Sequence, residues 1–193
     1  MIYPIVVYGH PVLRRKSVEV QQGQEGLQEF IRDLWETMHI SDGIGLAGPQ
    51  VGKSLRIFVI DTAGLADEDP SLKNFKSAFI NPAIVERTGE REPFNEGCLS
   101  IPNIREDVVR ESRIRIQYYD EDFNFHDESY DGVLSRIIQH EYDHLEGILF
   151  TDLIPPIRKR LLKGKLNAIS RGKFDANYKT VLPKMKLEPE ILK

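Results

Sequence analysis

Two histidines four residues apart, His140 and His144 in the stretch QHEYDHLEG (139–147), carry the clearest chemical signal in the sequence. On an α-helix, positions i and i+4 lie on one face, so both imidazoles can reach a single point in space. Two neutral imidazoles supply half of a metal site, with Glu141 beside the metal rather than bound to it. Taken alone, the pattern also fits surface histidines or hydrogen-bonded core histidines. The apolar residues around it favour a buried helix, in which unpaired histidines would be costly.

A third ligand is needed, because catalytic sites of the zinc type use three protein ligands and one open position. No histidine follows His144, and the sequence contains one cysteine, Cys98, in EGCLS (96–100). A lone cysteine is often a small buried apolar residue. A thiolate is nevertheless a strong ligand for soft and borderline metals. Because the two histidines need a third ligand to complete a metal site, Cys98 is predicted to supply it.

A glycine-rich stretch, GIGLAGPQ (43–50), could carry backbone close to a ligand. Glycines let the chain present its N–H and C=O groups outward. The stretch is not a phosphate-binding G-x-G-x-x-G pattern, and glycine-rich turns are common. Its last residue, Gln50, could stabilise a developing oxyanion through its side-chain amide if it reaches the metal.

In order and spacing, GIGLAGPQ, EGCLS and QHEYDH resemble the three signature segments of peptide deformylase, GxGΦAAxQ, EGCΦS and QHExDH. The stretch YGHPVLR (8–14) is also similar to the N-terminal part of that family, so the resemblance covers roughly residues 4–155. One departure lies inside a motif, since Gly48 stands where the family usually has alanine. The loss of one methyl group affects the turn and no catalytic role.

The resemblance implies a hydrolase that removes the formyl group from N-formylmethionine at the start of new polypeptides. Cys98, His140 and His144 would hold one divalent metal, and Glu141 would move the proton of the attacking water. The Gln50 side chain and the backbone N–H of Leu99 would receive the growing negative charge. The metal would be Fe²⁺ in the cell, although the ligands also permit Zn²⁺, Ni²⁺ or Co²⁺.

Further residues are expected to bind the formylated nascent peptide. Backbone groups of Ile44, Gly45 and Leu46 would align it as an added strand. Val133 and Ile137, one helical turn apart, would line an apolar methionine pocket, a role compatible with ordinary core packing. Glu96 and Arg105 would pair near the mouth of that pocket, as the matching family positions do.

The elements that must position these residues follow from hydrophobic periodicity. An amphipathic pattern predicts a helix over 26–40, and Asp131 is expected to cap a second helix that ends before Gly147. Strands are predicted over 55–60, 77–87 and 112–120, with a surface loop over 61–76 and a basic helix over roughly 155–169. The predicted class is α+β, with mostly antiparallel strands around a central HExxH helix and with N-terminal and C-terminal helices.

The composition is that of an ordinary globular chain. It has 193 residues, 40% hydrophobic residues and a net charge of −4. We expect one catalytic domain over 1–170 and a polar extension over 171–193. No apolar run approaches the roughly 20 residues of a membrane span, and the N-terminus is not that of a signal peptide. The expected compartment is the cytoplasm, with no DNA or membrane partner.

A basic segment over 158–173 carries seven cationic side chains and no acidic one. On a helical projection, Lys159, Arg160 and Lys163 cluster opposite an apolar face, whose expected members are Ile157, Leu161, Leu162, Leu166 and Ile169. The segment could simply be a solvated face. The alternative is that it contacts ribosomal RNA through phosphates.

Two rival functions remain open at the level of sequence. A general HExxH endopeptidase would cut unformylated peptides internally, and it would need a third metal ligand downstream of His144. A binding protein with a closed structural metal site would have no task for Glu141.

Overall fold

The computed structural model describes residues 1–65, 72 and 75–187. Its helices are α1 (Leu27–Ile40), α2 (Gly132–Leu145), α3 (Phe150–Leu153) and α4 (Pro156–Ile169). Its strands are β1 (Ile5–Val6), β2 (Gly45–Ala47), β3 (Ile57–Asp61), β4 (Lys76–Cys98), β5 (Ile101–Tyr119), β6 (Phe125–Asp131) and β7 (Thr180–Val181).

Five strands form one antiparallel sheet in the order β2-β3-β4-β5-β6, while β1 and β7 pair in parallel. The mixed α and β content and the antiparallel sheet confirm the predicted class. Because β2 is at the end of the sheet, one of its edges has no strand partner among the described residues.

The two central strands are much longer than predicted. β4 contains 23 residues and β5 contains 19, and they pair along their lengths from Ile80↔Tyr119 to Cys98↔Ile101. The part of β4 between residues 86 and 95 is exposed, so it lacks the apolar alternation that reveals a half-buried strand. The exposed strand β6 was missed for the same reason. Part of the predicted 61–76 loop (66–71, 73 and 74) lies outside the described residues.

Helix α1 packs its apolar face against β2 and β3. The buried residues of this face include Phe30, Leu34 and Met38, which share a cluster with Leu46 and Val59. Leu46 belongs to the glycine-rich stretch GIGLAGPQ, so the packing of α1 against it helps to position that stretch.

Helix α2 lies against the sheet, and its residues Ile138 and Leu145 are fully buried. Asp131 occupies the N-cap position, but its side chain makes no capping hydrogen bond. It lies instead 3.6 Å from Arg113 of the neighbouring strand. The helix ends just before Gly147, as predicted. Gly147 has a φ of +73°, and a Cβ there would lie 2.7 Å from the carbonyl oxygen of Arg14, so the position requires glycine.

The predicted apolar face of the basic helix α4 is wrong in part. Leu162, Leu166 and Ile169 are buried, whereas Ile157 and Leu161 are 60% and 65% exposed. Only the C-terminal half of the helix buries its apolar residues against the domain. At its N-terminal half, the contact is instead an ion pair between Arg158 and Glu106.

The chain after α4 returns to the domain. Strand β7 pairs with β1 through Thr180 and Val181, and Val181 is buried beside Val6 and Leu13. The last residues of the predicted extension, 188–193, lie outside the described residues. No helix in the described part of the chain is long and apolar enough to cross a membrane.

Candidate active site

Three potential metal ligands meet where β4 ends against α2. Cys98 is the last residue of β4, and His140 and His144 are one turn apart on α2. One ligand atom from each of these residues lies within 4.8 Å of the other two. The Cys98 Sγ lies 3.3 Å from the His144 Nε2. The fold thus brings together the three ligands predicted from the sequence.

The donor set and its surroundings fit a divalent metal. Two imidazole nitrogens and a thiolate suit ions of borderline softness. Burial lowers the pKa of His144 well below its usual value, so its ring is in the neutral form that binds metal. The Glu141 Oε2 is buried without a hydrogen-bond partner among the described residues, as expected of a group that faces a bound water or substrate.

The carboxyl group of Glu141 has a proton affinity suited to proton transfer near neutral pH. Burial raises the pKa of Glu141 to about 7, although the nearby His140 acts in the opposite direction. A group with such a pKa can both accept and release a proton at physiological pH.

A buried ion network orients His140. The His140 Nδ1 lies 2.8 Å from the Glu96 Oε2, which leaves Nε2 for a ligand. Arg110 donates two hydrogen bonds to Glu96, at 2.7 and 3.0 Å, and one to Asp143, at 2.7 Å. Burial opposes the charge of Glu96, but the hydrogen bonds from His140 and Arg110 outweigh it and lower the pKa of Glu96 to about 2.

The contacts of Arg110 and Asp143 with this network were not predicted from the sequence. Asp143 lies inside the QHEYDH stretch and could have been suspected from that position. Arg110 is one of seven charged residues on β5, and nothing in its local sequence marks it as buried.

The predicted pair between Glu96 and Arg105 is wrong. In the β4–β5 ladder, Glu96 is opposite Glu106 and Gly97 is opposite Arg105. Since adjacent positions in a strand face opposite sides, Glu96 and Arg105 point away from each other. The Arg105 guanidinium donates instead to the side chain and backbone of Asn95, at 2.7 and 2.8 Å.

Gln50 reaches the ligand cluster from a short 3-10 helix, Gly48–Val51. Its Oε1 accepts a hydrogen bond from the Ala47 N–H at 2.8 Å. This contact fixes the amide orientation, so Nε2 faces the cluster at 3.4 Å from both the Cys98 Sγ and the Ser100 Oγ.

A cleft of about 800 Å³ opens beside the ligand cluster. The predicted site residues that line it are Ile44, Gly45, Gln50, Glu96, Cys98, Leu99, Arg105, Ile137, His140 and Glu141. Leu46, Val133 and His144 do not line it. Leu46 is fully buried in the core, because neighbouring strand residues alternate between faces. Val133 lies in the first turn of α2, one turn before Ile137.

The edge of β2 forms one side of the cleft and comes very close to Glu141. A Cβ at Gly45 would lie 2.5 Å from the Glu141 Oε1, so no larger residue fits there without displacement. The cleft therefore presents, directly beside a buried carboxyl group, a strand edge that has no strand partner in the described part of the chain.

Four consecutive residues that were not predicted from the sequence also line the cleft, Asp175, Ala176, Asn177 and Tyr178. They belong to the polar extension, which shows no motif and no periodicity that would place it at a site.

The family model for polypeptide deformylase matches residues 2–160 of the chain. The chain is 48% identical over 193 residues to a peptide deformylase from Christiangramia forsetii, covering 96% of this chain and 98% of the relative. It is 50% identical over 186 residues to one from Flavobacterium johnsoniae, covering 93% and 95%.

Solved structures agree with these relatives. The crystal structure of a peptide deformylase from Legionella pneumophila superposes with a TM-score of 0.78 at 34% identity, covering 90% of this chain and 98% of the other. A Plasmodium falciparum peptide deformylase in complex with an inhibitor gives a TM-score of 0.76 at 40% identity, covering 86% and 99%.

Proposed function

The chain belongs to the peptide deformylase family, and we propose that Cys98, His140 and His144 hold the metal with which it hydrolyses the N-formyl group of formylmethionine on new polypeptides. The observation that supports this assignment most directly is the convergence of the three ligand atoms within 4.8 Å. The metal, when bound, would polarise the formyl oxygen and acidify a water molecule. Fe²⁺ is the ion that we propose for the cell, and Zn²⁺, Ni²⁺ and Co²⁺ also suit the ligands.

Glu141 is the proposed proton carrier. Its carboxylate would take a proton from the attacking water and pass it to the departing amine of the methionine. Its burial, its unpartnered Oε2 and its pKa of about 7 support this role. The buried pair of Glu96 and Arg110 would meanwhile hold the His140 ring in a fixed orientation.

Two donors are proposed for the oxygen on which negative charge develops. The Gln50 Nε2 is held towards the cluster by the hydrogen bond between its Oε1 and Ala47. The backbone N–H of Leu99, next to Cys98, is the second donor. Preorganised donors of this kind stabilise the transition state more than the ground state.

The formylated peptide is proposed to bind along the outer edge of β2, which has no strand partner within the ranges that the structure describes. The backbone groups of Ile44, Gly45 and Leu46 would pair with it as with an added strand. Ile137 supplies apolar surface for the methionine side chain, and Glu96 and Arg105 line the same cleft. Val133 is not proposed as a pocket residue.

We propose that residues 1–170 form the catalytic domain, that residues 171–193 extend it, and that the enzyme works in the cytoplasm. For a partner beyond the nascent peptide, we propose the ribosome, contacted by the basic segment 158–173. The exposure of Arg160, Lys163 and Lys165 on α4 supports this, as does the absence of acidic residues from the segment.

Formate release from a formyl-Met peptide, with metal analysis of the same preparation, tests the proposed function. We expect formate, a free amino terminus and about one metal ion per chain. Internal cleavage of an unformylated peptide without formate release would instead support the endopeptidase. A tightly bound metal with neither activity would support a structural site.

The ligand assignment has its own test. Cys98→Ala should lose the metal, because two imidazoles alone hold it weakly. Ser100→Ala is the matched control, since Ser100 is buried nearby but is not a proposed ligand. Equal metal content in the parent and in Cys98→Ala would refute the assignment.

A further inference from the structure

The turn between β4 and β5 carries one of the two proposed oxyanion donors, the backbone N–H of Leu99. The turn consists of Leu99 and Ser100, and the flanking residues Cys98 and Ile101 pair with each other across it. Within the described part of the chain, the Leu99 N–H donates to no backbone carbonyl, so it is available to a substrate oxygen. Such a donor is effective when the fold holds it in place before the reaction. The contacts that hold this turn are therefore relevant to catalysis.

Three contacts hold Ser100 and the side chain of Leu99. The Tyr8 N–H donates to the carbonyl oxygen of Ser100 at 2.8 Å. The Gln50 Nε2 lies 3.4 Å from the Ser100 Oγ. A Cβ at Gly43 would lie 3.0 Å from the Leu99 Cδ1, so the Leu99 side chain lies directly against that backbone. None of these three contacts involves the carbonyl group of Leu99.

Tyr178 supplies the contact at that carbonyl group. The Tyr178 Oη donates to the carbonyl oxygen of Leu99 at 2.8 Å. The Tyr178 ring and the Leu99 side chain pack against the same core cluster, which holds the hydroxyl in position. The carbonyl and the N–H of Leu99 are on either side of one Cα. A hydrogen bond that fixes the carbonyl therefore restricts the two backbone dihedrals that relate it to the N–H.

The short β1–β7 pair anchors Tyr178 to the rest of the domain. β7 begins two residues after Tyr178, and the carbonyl oxygen of Lys179 accepts a hydrogen bond from the Ile5 N–H at 2.8 Å. β1 ends two residues before Tyr8. The segments next to these two strands thus provide the donors for both carbonyl groups of the turn. Tyr178 lies beyond the residues 2–160 that the family model matches, so no signature segment includes its contact.

We propose that Tyr178 is a positioning residue for deformylation, which holds the Leu99 N–H towards the formyl oxygen as negative charge develops there. This inference rests on the proposed deformylase function and on the proposed role of Leu99 as a donor. Tyr178 acts through the peptide groups of Leu99 and not on a reacting atom. Its hydroxyl should therefore affect kcat more than KM, because the oxyanion develops in the transition state and not in the bound substrate.

Tyr178→Phe tests the proposal, because it removes the hydroxyl and keeps the ring that lines the cleft. For formyl-Met-Ala amide, we expect kcat to fall about fivefold, on the scale of one lost hydrogen bond. The KM and the metal content per chain should stay at the parental values. The pH dependence of kcat should keep its shape, because the proton transfer by Glu141 is not altered.

Tyr118→Phe is the matched control. The Tyr118 hydroxyl donates to the Glu128 Oε2 at 3.1 Å within the β5–β6 hairpin, and Tyr118 does not line the cleft. Both variants lose one tyrosine hydrogen bond, so urea denaturation should show a similar loss of stability in each. The control should nevertheless keep the parental kcat.

Several results would overturn the proposal. An unchanged kcat in Tyr178→Phe would mean that the hydroxyl has no part in the reaction. An increase in KM at unchanged kcat would mean that it binds the peptide, and a loss of metal would mean that it supports Cys98 instead. An equal fall of kcat in Tyr118→Phe would mean that the effect follows general stability. A parent that releases no formate would contradict the deformylase function instead.

Discussion

At the scale of single residues, the proposed roles fall on different side chains: some would bind the metal, one would transfer protons, and others would stabilise negative charge. Cys98, His140 and His144 could be predicted as ligands, because their types and spacing are constrained by coordination chemistry. Arg110 could not, because its task is set by Glu96 and Asp143, which approach it only in the folded chain. The metal ligands can thus be predicted from the local sequence, whereas the residues that orient those ligands cannot.

Glu141→Gln should keep the metal and lose nearly all turnover. The amide has nearly the same size and can occupy the same buried position, but it cannot carry a proton. Metal content per chain and the rate of formate release are the two measurements. A variant that retains more than about a tenth of the parental kcat would rule out Glu141 as the proton carrier, since general acid–base groups contribute at least about 10²-fold.

Gln50→Ala should lower kcat by roughly 10²-fold, on the scale of one lost oxyanion donor. The KM for a formyl-Met peptide should change little, because the interaction forms mainly in the transition state. Steady-state kinetics with a short substrate separate the two parameters. An increase in KM at unchanged kcat would show that Gln50 binds the ground state.

At the scale of elements, helices were easier to predict than strands. The buried face of α1 repeats at helical spacing, and its observed bounds, Leu27–Ile40, lie within the predicted range. The long arms of β4 and β5 are paired through their backbones, and the arm of β4 between residues 86 and 95 is exposed and has no apolar alternation. In β5, the four buried positions between 104 and 110 include the charged residues Glu106 and Arg110, so the buried face is not recognisable as apolar in the sequence.

The β5–β6 hairpin carries a pH-dependent ion pair that can be tested by itself. The His126 Nε2 lies 2.9 Å from the Asp120 Oδ2, and this contact raises the pKa of His126. A raised pKa in the folded state stabilises the fold below the unfolded value of about 6.5, and the contribution disappears as the pH rises through the folded value.

His126→Asn should therefore reduce the free energy of unfolding by about 0.5 kcal/mol at pH 6. The difference from the parent should shrink by pH 9, where the imidazole of the parent is neutral. Urea denaturation at the two pH values measures it. Asp120→Asn should lose most but not all of the pH-dependent part, because the His126 Nδ1 also lies 3.3 Å from the Glu128 Oε1. Equal differences at both pH values would mean that the ring acts by packing against Tyr118 rather than by charge.

At the scale of the whole molecule, the family and the main chemistry could be predicted, but the complete cleft could not. The three signature segments are short, and each can be recognised from its own residues without knowledge of the surrounding fold. The cleft-lining residues 175–178 depend on a return of the chain to β1 through β7, which involves only two residue pairs. The position of such a segment follows from tertiary contacts and not from its own composition.

The surface of α4 shows the same limit of prediction. Its cationic residues are evident in the sequence, but the groups that they contact are not. Arg158 is paired with Glu106, and the Lys159 Nζ lies 3.4 Å from the Asp152 Oδ1, whereas Arg160 and Lys163 are exposed. The exposed apolar side chains of Ile157 and Leu161 lie on the same helix. A ribosome contact would use the exposed cations for phosphates and would release counterions.

The triple variant Lys159→Glu, Arg160→Glu, Lys163→Glu should lose co-sedimentation with ribosomes. The matched control is Arg32→Glu, Arg91→Glu, Arg113→Glu, which makes the same change in net charge at side chains that are 65%, 65% and 61% exposed. For the parent, the logarithm of the binding constant should fall linearly with the logarithm of salt concentration, and the α4 variant should reduce that slope by about 2 to 3. Kinetics on formyl-Met amide should be unchanged in both variants, because none of the altered side chains lines the cleft. If the control loses binding as fully as the α4 variant, the attraction is a general effect of net charge and α4 is only a solvated helix.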